Sequence, residues 1–354
     1  MRTYFLSLIK LGIGTIKVVS LPKQIDWSYI EGLAARQGLS AVLVDGVEKL
    51  PEDKRPPKEM LLQWIGETLQ GYEYRYELYC RTIAEMAHFY NARGFRMMVL
   101  KGYACSLDWP KPEHRPCGDI DIWQFGQQKE ADDILGKEKG IKIDNSHHHH
   151  SVFSWRDFMV ENHYDFINVH HHKSHVTLEK TLKDLAQDDS YFIDMNGEKV
   201  YLPSPNLHAL FLIKHAALHF VGTELTFRQI LDWAFFVQKH GKKVDWEWLL
   251  GTLDENGLLP FFQILNAICV EDLGFEHSLF PTVSFNPMLK DKVLEDVFSY
   301  SYQEDSSSHL IRRQINRFRR WKASEWKHEL CYKESMWSAF WSGVLAHLLK
   351  PKSI

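Results

Sequence analysis

The sequence predicts an α+β protein, with a small mixed sheet between two helical regions, and three observations lead there. Residues 58–92 carry apolar side chains at three- and four-residue steps, the period of a helix packed on one side. Almost everything after Ser204 shows the same helical period. Between them, strand-like runs with two-residue alternation are mixed with a polar helix over about a hundred residues, which suggests a compact sheet domain. The organisation expected is an N-terminal helical region over 1–94, an α+β core over 95–203 and a C-terminal helical domain over 204–354.

Residues 1–50 read as short helices; in Ile25 to Gln37, Ile30, Leu33 and Ala34 fall at helical spacing and Gly38 can cap the end. Pro51 to Pro57 is a charged, proline-rich break. One long helix is then predicted from Lys58 to Ala92, with Gly94 as its stop. Arg96 to Leu100 reads as a strand, Trp109 to Pro116 as a loop stiffened by three prolines, and Gly118 to Trp123 as a second strand. Gln127 to Lys139 is a polar helix, and Ile141 to Ile143 begins another strand. Two more strand-like runs follow, Ser151 to Trp155 and Asp157 to Asn168, and Met195-Asn196-Gly197 suits a hairpin turn. Ser204 stands where an N-cap belongs. Later helices are predicted over Phe227–His240, Trp246–Glu255, Leu258–Leu273, Leu289–Tyr302, Ser307–Trp321 and Ser335–Leu349.

Bulk properties narrow the function classes. A net charge of -4 provides no global basic field to draw the chain onto nucleic acid. No apolar run approaches the roughly 20 residues that span a bilayer. The apolar N-terminus with Arg2 loosely resembles an export signal, but Lys10 interrupts it and no clean small-residue cleavage site follows. The five cysteines are scattered, odd in number and contain no CxxC pair, which points to a reducing, cytoplasmic setting and away from structural zinc.

The chemistry concentrates in Met97 to Ile122. In an extended Gly118-Asp119-Ile120-Asp121-Ile122, side chains alternate, so both carboxylates lie on one face, about 7 Å apart, and both isoleucines on the other. Acids are poor strand formers, and binding a divalent cation is the evident reason to place two here. Magnesium is typically held by one or two carboxylates together with phosphates and water. A solvated strand edge would also accept two acids, but here Gly118 leads into the pair and Arg115-Pro116 precedes it. Lys101-Gly102 reads as a turn in which glycine lets the backbone approach a phosphate and lysine adds a charge. Arg115 is either a bidentate phosphate clamp or an ordinary loop cation. Glu161, on one strand face with His163, is the candidate third carboxylate.

Together, Leu100-Lys101-Gly102, a proline-containing loop, Arg115, Gly118-Asp119-Ile120-Asp121-Ile122 and Val160-Glu161-Asn162-His163 resemble the uncharacterised nucleotidyltransferase family of the DNA polymerase β-like superfamily. His215, His219, Arg228 and Asp232 fall on matching positions of that family's helical part, so the resemblance runs over roughly residues 25 to 240. It implies a polymerase β-like core binding a nucleoside triphosphate, such as ATP, and Mg2+, with Mn2+ as a substitute. It implies Asp119, Asp121 and Glu161 as metal ligands and catalytic residues, and Lys101, Gly102, Arg115, Gly118 and His163 at the nucleotide. The reaction implied is nucleotidyl transfer to an acceptor hydroxyl with release of pyrophosphate; protein, small-molecule and RNA acceptors all stay open. Two features depart from the wider superfamily: Lys101-Gly102 replaces its usual Gly-Ser turn, and Glu161 stands where aspartate is commoner.

The histidines admit several readings. The runs His147 to His150 and His170 to His172, with His175, suit a cleft lining, transition-metal binding or a polar loop. His215 and His219 share a helical face, with no third zinc ligand evident nearby. Arg312, Arg313, Arg317, Arg319 and Arg320 suit RNA or an anionic membrane surface, or one solvated helix face. Two functional alternatives stand beside the transferase: a relic of the fold that binds nucleotide or a partner without turnover, and a metal-dependent hydrolase using histidines with Asp119 and Asp121.

Overall fold

The computed structural model describes residues 1–299, except 21, 23, 148, 170, 171, 282 and 283, together with residues 321–349. Three helices open the chain: α1 (Arg2–Ile13), α2 (Trp27–Gln37) and α3 (Ser40–Glu48). Asp26 caps α2 through its side chain, and Gly38 ends it in the left-handed conformation. α1 buries Phe5, Leu8 and Ile9, so the apolar N-terminal stretch is part of the core. The long helix predicted over 58–92 is present as α4 (Lys58–Glu67) and α5 (Tyr74–Asn91), joined by a π-helical turn over Thr68–Glu73. A π turn inserts an extra residue and re-aims the face that follows it. It leaves Tyr79, Ile83, Met86 and Tyr90 buried against the sheet.

Six strands form one mixed sheet: β1 (Met98–Val99), β2 (Ile120–Trp123), β3 (His150–Trp155), β4 (Phe158–His163), β5 (Phe192–Met195) and β6 (Glu198–Tyr201). Their spatial order is β3-β4-β2-β1-β6-β5. β2 runs parallel to β4 and antiparallel to β1, and β1 is parallel to β6. The hairpin turn at Asn196-Gly197 has positive φ at both residues, as the sequence suggested. Met97, Val99, Ile120, Ile122 and Val160 pack on α5 and on α7 (Gln128–Lys139). The other face, through Met98, Leu100 and Trp123, joins a second apolar cluster that extends from Phe5 to Tyr332. The acid-bearing face of β2 is therefore covered, and all four β2 residues are buried.

Covering it are α9 (Pro205–Gly222) and α10 (Phe227–His240). Behind these lie α11 (Trp246–Glu255), α12 (Leu259–Ala267) with a π turn over Ile268–Asp272, and α13 (Pro287–Ser299). α14 (Glu325–Cys331) and α15 (Met336–Leu349) follow. The predicted helix at 307–321 falls, apart from Trp321, outside the described residues.

Three local expectations are corrected. Lys101-Gly102 is not a turn, because Lys101 opens a short helix, α6 (Lys101–Ser106). Ile141 to Ile143 forms no strand; Asp144 makes a single bridge to Val152. Between the sheet hairpins stands an unforeseen helix, α8 (Lys173–Leu185). Its apolar stripe is thin, Leu178, Leu182 and Leu185 in a charged segment, and its burial depends on α9.

Candidate functional site

The parallel pairing of β2 with β4 sets Asp121 beside Glu161. Asp119 stands two residues earlier, on the same face of its strand. One carboxylate oxygen from each of Asp119, Asp121 and Glu161 lies within 4.8 Å of the other two. Main-chain bonds hold the frame: the Leu100 N–H donates to the Asp121 carbonyl at 2.9 Å, and the Tyr79 hydroxyl donates to the Asp119 carbonyl at 2.7 Å. Gly102 passes so near that Tyr79 that a Cβ there would sit 2.7 Å from the hydroxyl oxygen. Glycine at 102 is thus explained by the packing that fixes Asp119.

Lys101 has a positive φ of 27°, unusual for a residue with a Cβ and the kind of strain that surroundings must hold in place. Its Nζ is 2.7 Å from Asp121 Oδ1. His163 Nε2 lies 2.9 Å from Asp121 Oδ1 and 3.5 Å from Glu161 Oε2, while its Nδ1 is 3.2 Å from the Asp165 carbonyl. Asp121, only 2% exposed, therefore faces two basic groups. Burial opposes its ionisation, but the Lys101 ammonium and His163 hold its carboxyl well below the usual range. Asp119 goes the other way: burial and the neighbouring Asp121 push its pKa up. Glu161 is lowered despite burial, through its bond with His163. Two adjacent carboxylates with pKa values driven apart suit an acid–base division of labour.

Helix α9 closes this face with Phe211, His215 and His219. The Lys101 ammonium lies 5.8 Å from the Phe211 ring centre, and the two imidazoles are 4.5 Å apart. Burial and the charge of Lys101 depress both, His219 to about 4, so they are neutral at pH 7. They sit beside the carboxylates as a neutral lining.

Arg115 differs from the clamp considered for it. Its guanidinium is buried and grips Asp232 of α10 with two hydrogen bonds, 2.7 and 2.8 Å, while Trp109 Nε1 donates to the same carboxylate at 2.8 Å. The pair ties the proline loop to α10. One turn earlier, Arg228 makes no hydrogen bond or ion pair with a described residue and interacts electrostatically with Asp119. Burial and the nearby Arg115 lower its pKa. Sequence matching set Arg228 beside Asp232 without distinguishing the braced cation from the free one. Gly118 is exposed just ahead of β2, after Cys117, whose carbonyl accepts from Arg75 Nε at 3.1 Å.

The histidine runs divide. His149 and His150 reach this site: His150 lies 5.3 Å, and His149 6.0 Å, from the His163 ring centre. Burial lowers their pKa values to about 3 and about 4 respectively. His172 and His175 gather elsewhere, with His172 stacked on Tyr332 at 3.8 Å and the ammonium of Lys214 4.3 Å from the same ring. His148, His170, His171, Arg312, Arg313, Arg317, Arg319 and Arg320 lie outside the described residues.

Residues 23–274 match the family model described as uncharacterised nucleotidyltransferase. The chain belongs to that nucleotidyltransferase family. Its α+β fold, a six-stranded mixed sheet flanked by helices, agrees with the expectation from sequence. A solved structure, an antigenic nucleotidyltransferase-like protein from Paracoccidioides brasiliensis, is similar over 55% of this chain and 91% of that one, at 14% identity and a TM-score of 0.37. No curated protein matches the sequence. Among the described residues, no helix is long and apolar enough to cross a membrane.

Proposed function

We propose that this member of the nucleotidyltransferase family is a divalent-cation-dependent enzyme. In this reading it moves a nucleoside monophosphate from a nucleoside triphosphate to an acceptor hydroxyl and releases pyrophosphate. The observation that carries it is the convergence of Asp119, Asp121 and Glu161 from two adjacent parallel strands, with ligand oxygens within 4.8 Å. Carboxylate oxygens are hard donors and suit Mg2+ or Mn2+. Bound by these oxygens, such a cation supplies charge neutralisation for the triphosphate and acidifies the acceptor hydroxyl.

The chain's own residues supply the rest. As the acceptor oxygen bonds to the α-phosphorus and the bond to the β-phosphate breaks, Asp119 takes the hydroxyl proton. His163 holds Asp121 and Glu161 in place through Nε2. Arg228, without an ion-pair partner among the described residues, binds triphosphate oxygens. Arg115 acts indirectly, holding α10 and hence Arg228. The carboxylates that hold the cation belong to the 95–203 core, and the helices before and after it frame and cover it, with Arg228 of α10 reaching the nucleotide.

The test is incubation with each α-labelled nucleoside triphosphate and Mg2+ or Mn2+, alone and with cell extract, beside Asp119→Asn. Label transfer or pyrophosphate release that disappears in the variant supports the proposal; no nucleotide binding with either metal rejects it. One observation favours a second reading, a nucleotide-binding relic without turnover: Lys101 already neutralises Asp121 at 2.7 Å. Nucleotide binding without any turnover in the same assay would select it.

A further inference from the structure

We propose that the site contains a second ligand set of softer character: His150, Glu161 and His163 bind a first-row transition-metal cation such as Zn2+, sharing Glu161 with the three-carboxylate set. One ligand atom from each of the three lies within 4.8 Å of the others. Glu161 Oε1 is 3.8 Å from His150 Nε2, and Glu161 Oε2 is 3.5 Å from His163 Nε2. Bonds of about 2.1 Å in a tetrahedral site put neighbouring ligand atoms about 3.4 Å apart, so small side-chain adjustments suffice. Register accounts for the convergence: β3 and β4 are antiparallel, with His150 opposite His163 and Val152 opposite Glu161. All of these share one face of the sheet.

Two further observations point to a ligand. The His150 side chain is only 9% exposed, yet among the described residues its Nδ1 has no hydrogen-bond partner, and its Nε2 lies too far from Glu161 to form one. A buried imidazole carrying an unsatisfied N–H is costly, and buried polar groups are normally paired. The Nε2 of that ring, 3.8 Å from Glu161 Oε1, is close enough to that carboxylate for one metal ion to bind both. His163, in turn, is oriented through Nδ1, 3.2 Å from the Asp165 carbonyl, and its Nε2, which donates to Asp121 Oδ1 at 2.9 Å, would release that proton on binding a metal. His149, its ring 4.2 Å from that of His150 and its own Nδ1 unpartnered among the described residues, stands next to the set. Two imidazoles and a carboxylate form a donor set that suits zinc with an open position, whereas magnesium prefers all-oxygen surroundings.

The proposal deepens the nucleotidyltransferase reading, resting on it only for the second use of Glu161, and a metal spectrum tests it apart from turnover. The full chain, stripped with chelator, is titrated with Co2+ as a spectroscopic stand-in and then with Zn2+. Expected are the strong visible bands of low-coordinate Co2+ at one equivalent, bleached by Zn2+ and not by excess Mg2+. His150→Asn should weaken Co2+ binding by more than about 10-fold, given that even groups supporting a metal ligand cost 10–100-fold when removed. Its circular dichroism and metal-free melting temperature should match the parent's. Asp119→Asn, which removes a ligand of the carboxylate set only, should keep the Co2+ bands while losing nucleotidyl transfer. His147→Ala, at an exposed histidine, should leave the bands unchanged. A weak octahedral spectrum, a folded His150→Asn variant with parental affinity, or bands lost in His147→Ala would overturn the assignment. Persistent Co2+ bands with no transfer under any condition would count against the nucleotidyltransferase reading alone.

Discussion

Replacing Arg115 by Met separates a structural brace from a phosphate ligand. Arg115 and Asp232 are 8% and 6% exposed at their side chains and joined by two charge-assisted hydrogen bonds. Removing one partner of a buried pair leaves the other charge uncompensated, which costs about 3–5 kcal/mol. Arg115→Met should therefore lower the unfolding free energy by that amount, since the only hydrogen bond Asp232 keeps among the described residues is the one from the Trp109 N–H. Replacing both with apolar residues of similar volume, Arg115→Met with Asp232→Leu, should recover most of the loss, because the orphaned charge disappears. Arg228→Met should behave in the opposite way. Burial and Arg115 already disfavour its charge, so stability should change by less than about 1 kcal/mol. Triphosphate affinity should nevertheless fall about tenfold or more, the equivalent of one charge-assisted bond at about 1.4 kcal/mol. Urea unfolding followed by tryptophan fluorescence, with nucleotide titration on the same samples, reads both quantities. If Arg115→Met destabilises by less than about 1 kcal/mol and abolishes nucleotide binding, Arg115 is the phosphate clamp and the brace argument fails.

Other perturbations bear on neighbouring parts of the site. Asp119→Asn should abolish pyrophosphate release while leaving stability unchanged or slightly higher, because burial and Asp121 already disfavour the charged carboxylate; a clear loss in melting temperature would contradict this. Asp121 is a poorer inactivating target, since Asp121→Ala leaves Lys101, 16% exposed at its side chain, beside a missing partner. Gly102→Ala should cost about 1–3 kcal/mol through overpacking against Tyr79, and the loss should shrink in a Tyr79→Phe background; equal losses in both backgrounds would show that the contact is not limiting. Acid should destabilise the fold from pH 6.5 downward. Burial depresses His208 and His219 to about 4 and His149 to about 3 in the native state. Below the unfolded value near 6.5 the unfolded chain binds protons that the native chain refuses, so stability falls until those native values are reached, by about 1.4 kcal/mol per pH unit for each excess proton. A melting temperature that is flat between pH 7 and 5 would refute this.

Much of the architecture is written locally. The alternation of Asp119 and Asp121 with Ile120 and Ile122, the helices over 227–240 and 246–255, and the turn at Asn196-Gly197 follow from backbone geometry and side-chain period, which neighbouring residues alone determine. Even the shared face of Glu161 and His163 needs nothing beyond β4 itself. Local pattern fails where a partner is distant. The lysine of Lys101-Gly102 reads as a phosphate grip until the sheet brings Asp121 to its ammonium. Nothing around Arg115 announces a carboxylate 117 residues away, and so nothing separates it from Arg228. Of the four-histidine run, only the register of β3 on β4 decides that His150 stands opposite His163, with Glu161 3.8 Å away. The residues therefore determine which groups this chain can bring to a metal and a phosphate. Which cation is free, which carboxylate is already neutralised and which imidazole lacks a partner are decided by long-range pairing, because charge and burial belong to the assembled environment of a side chain.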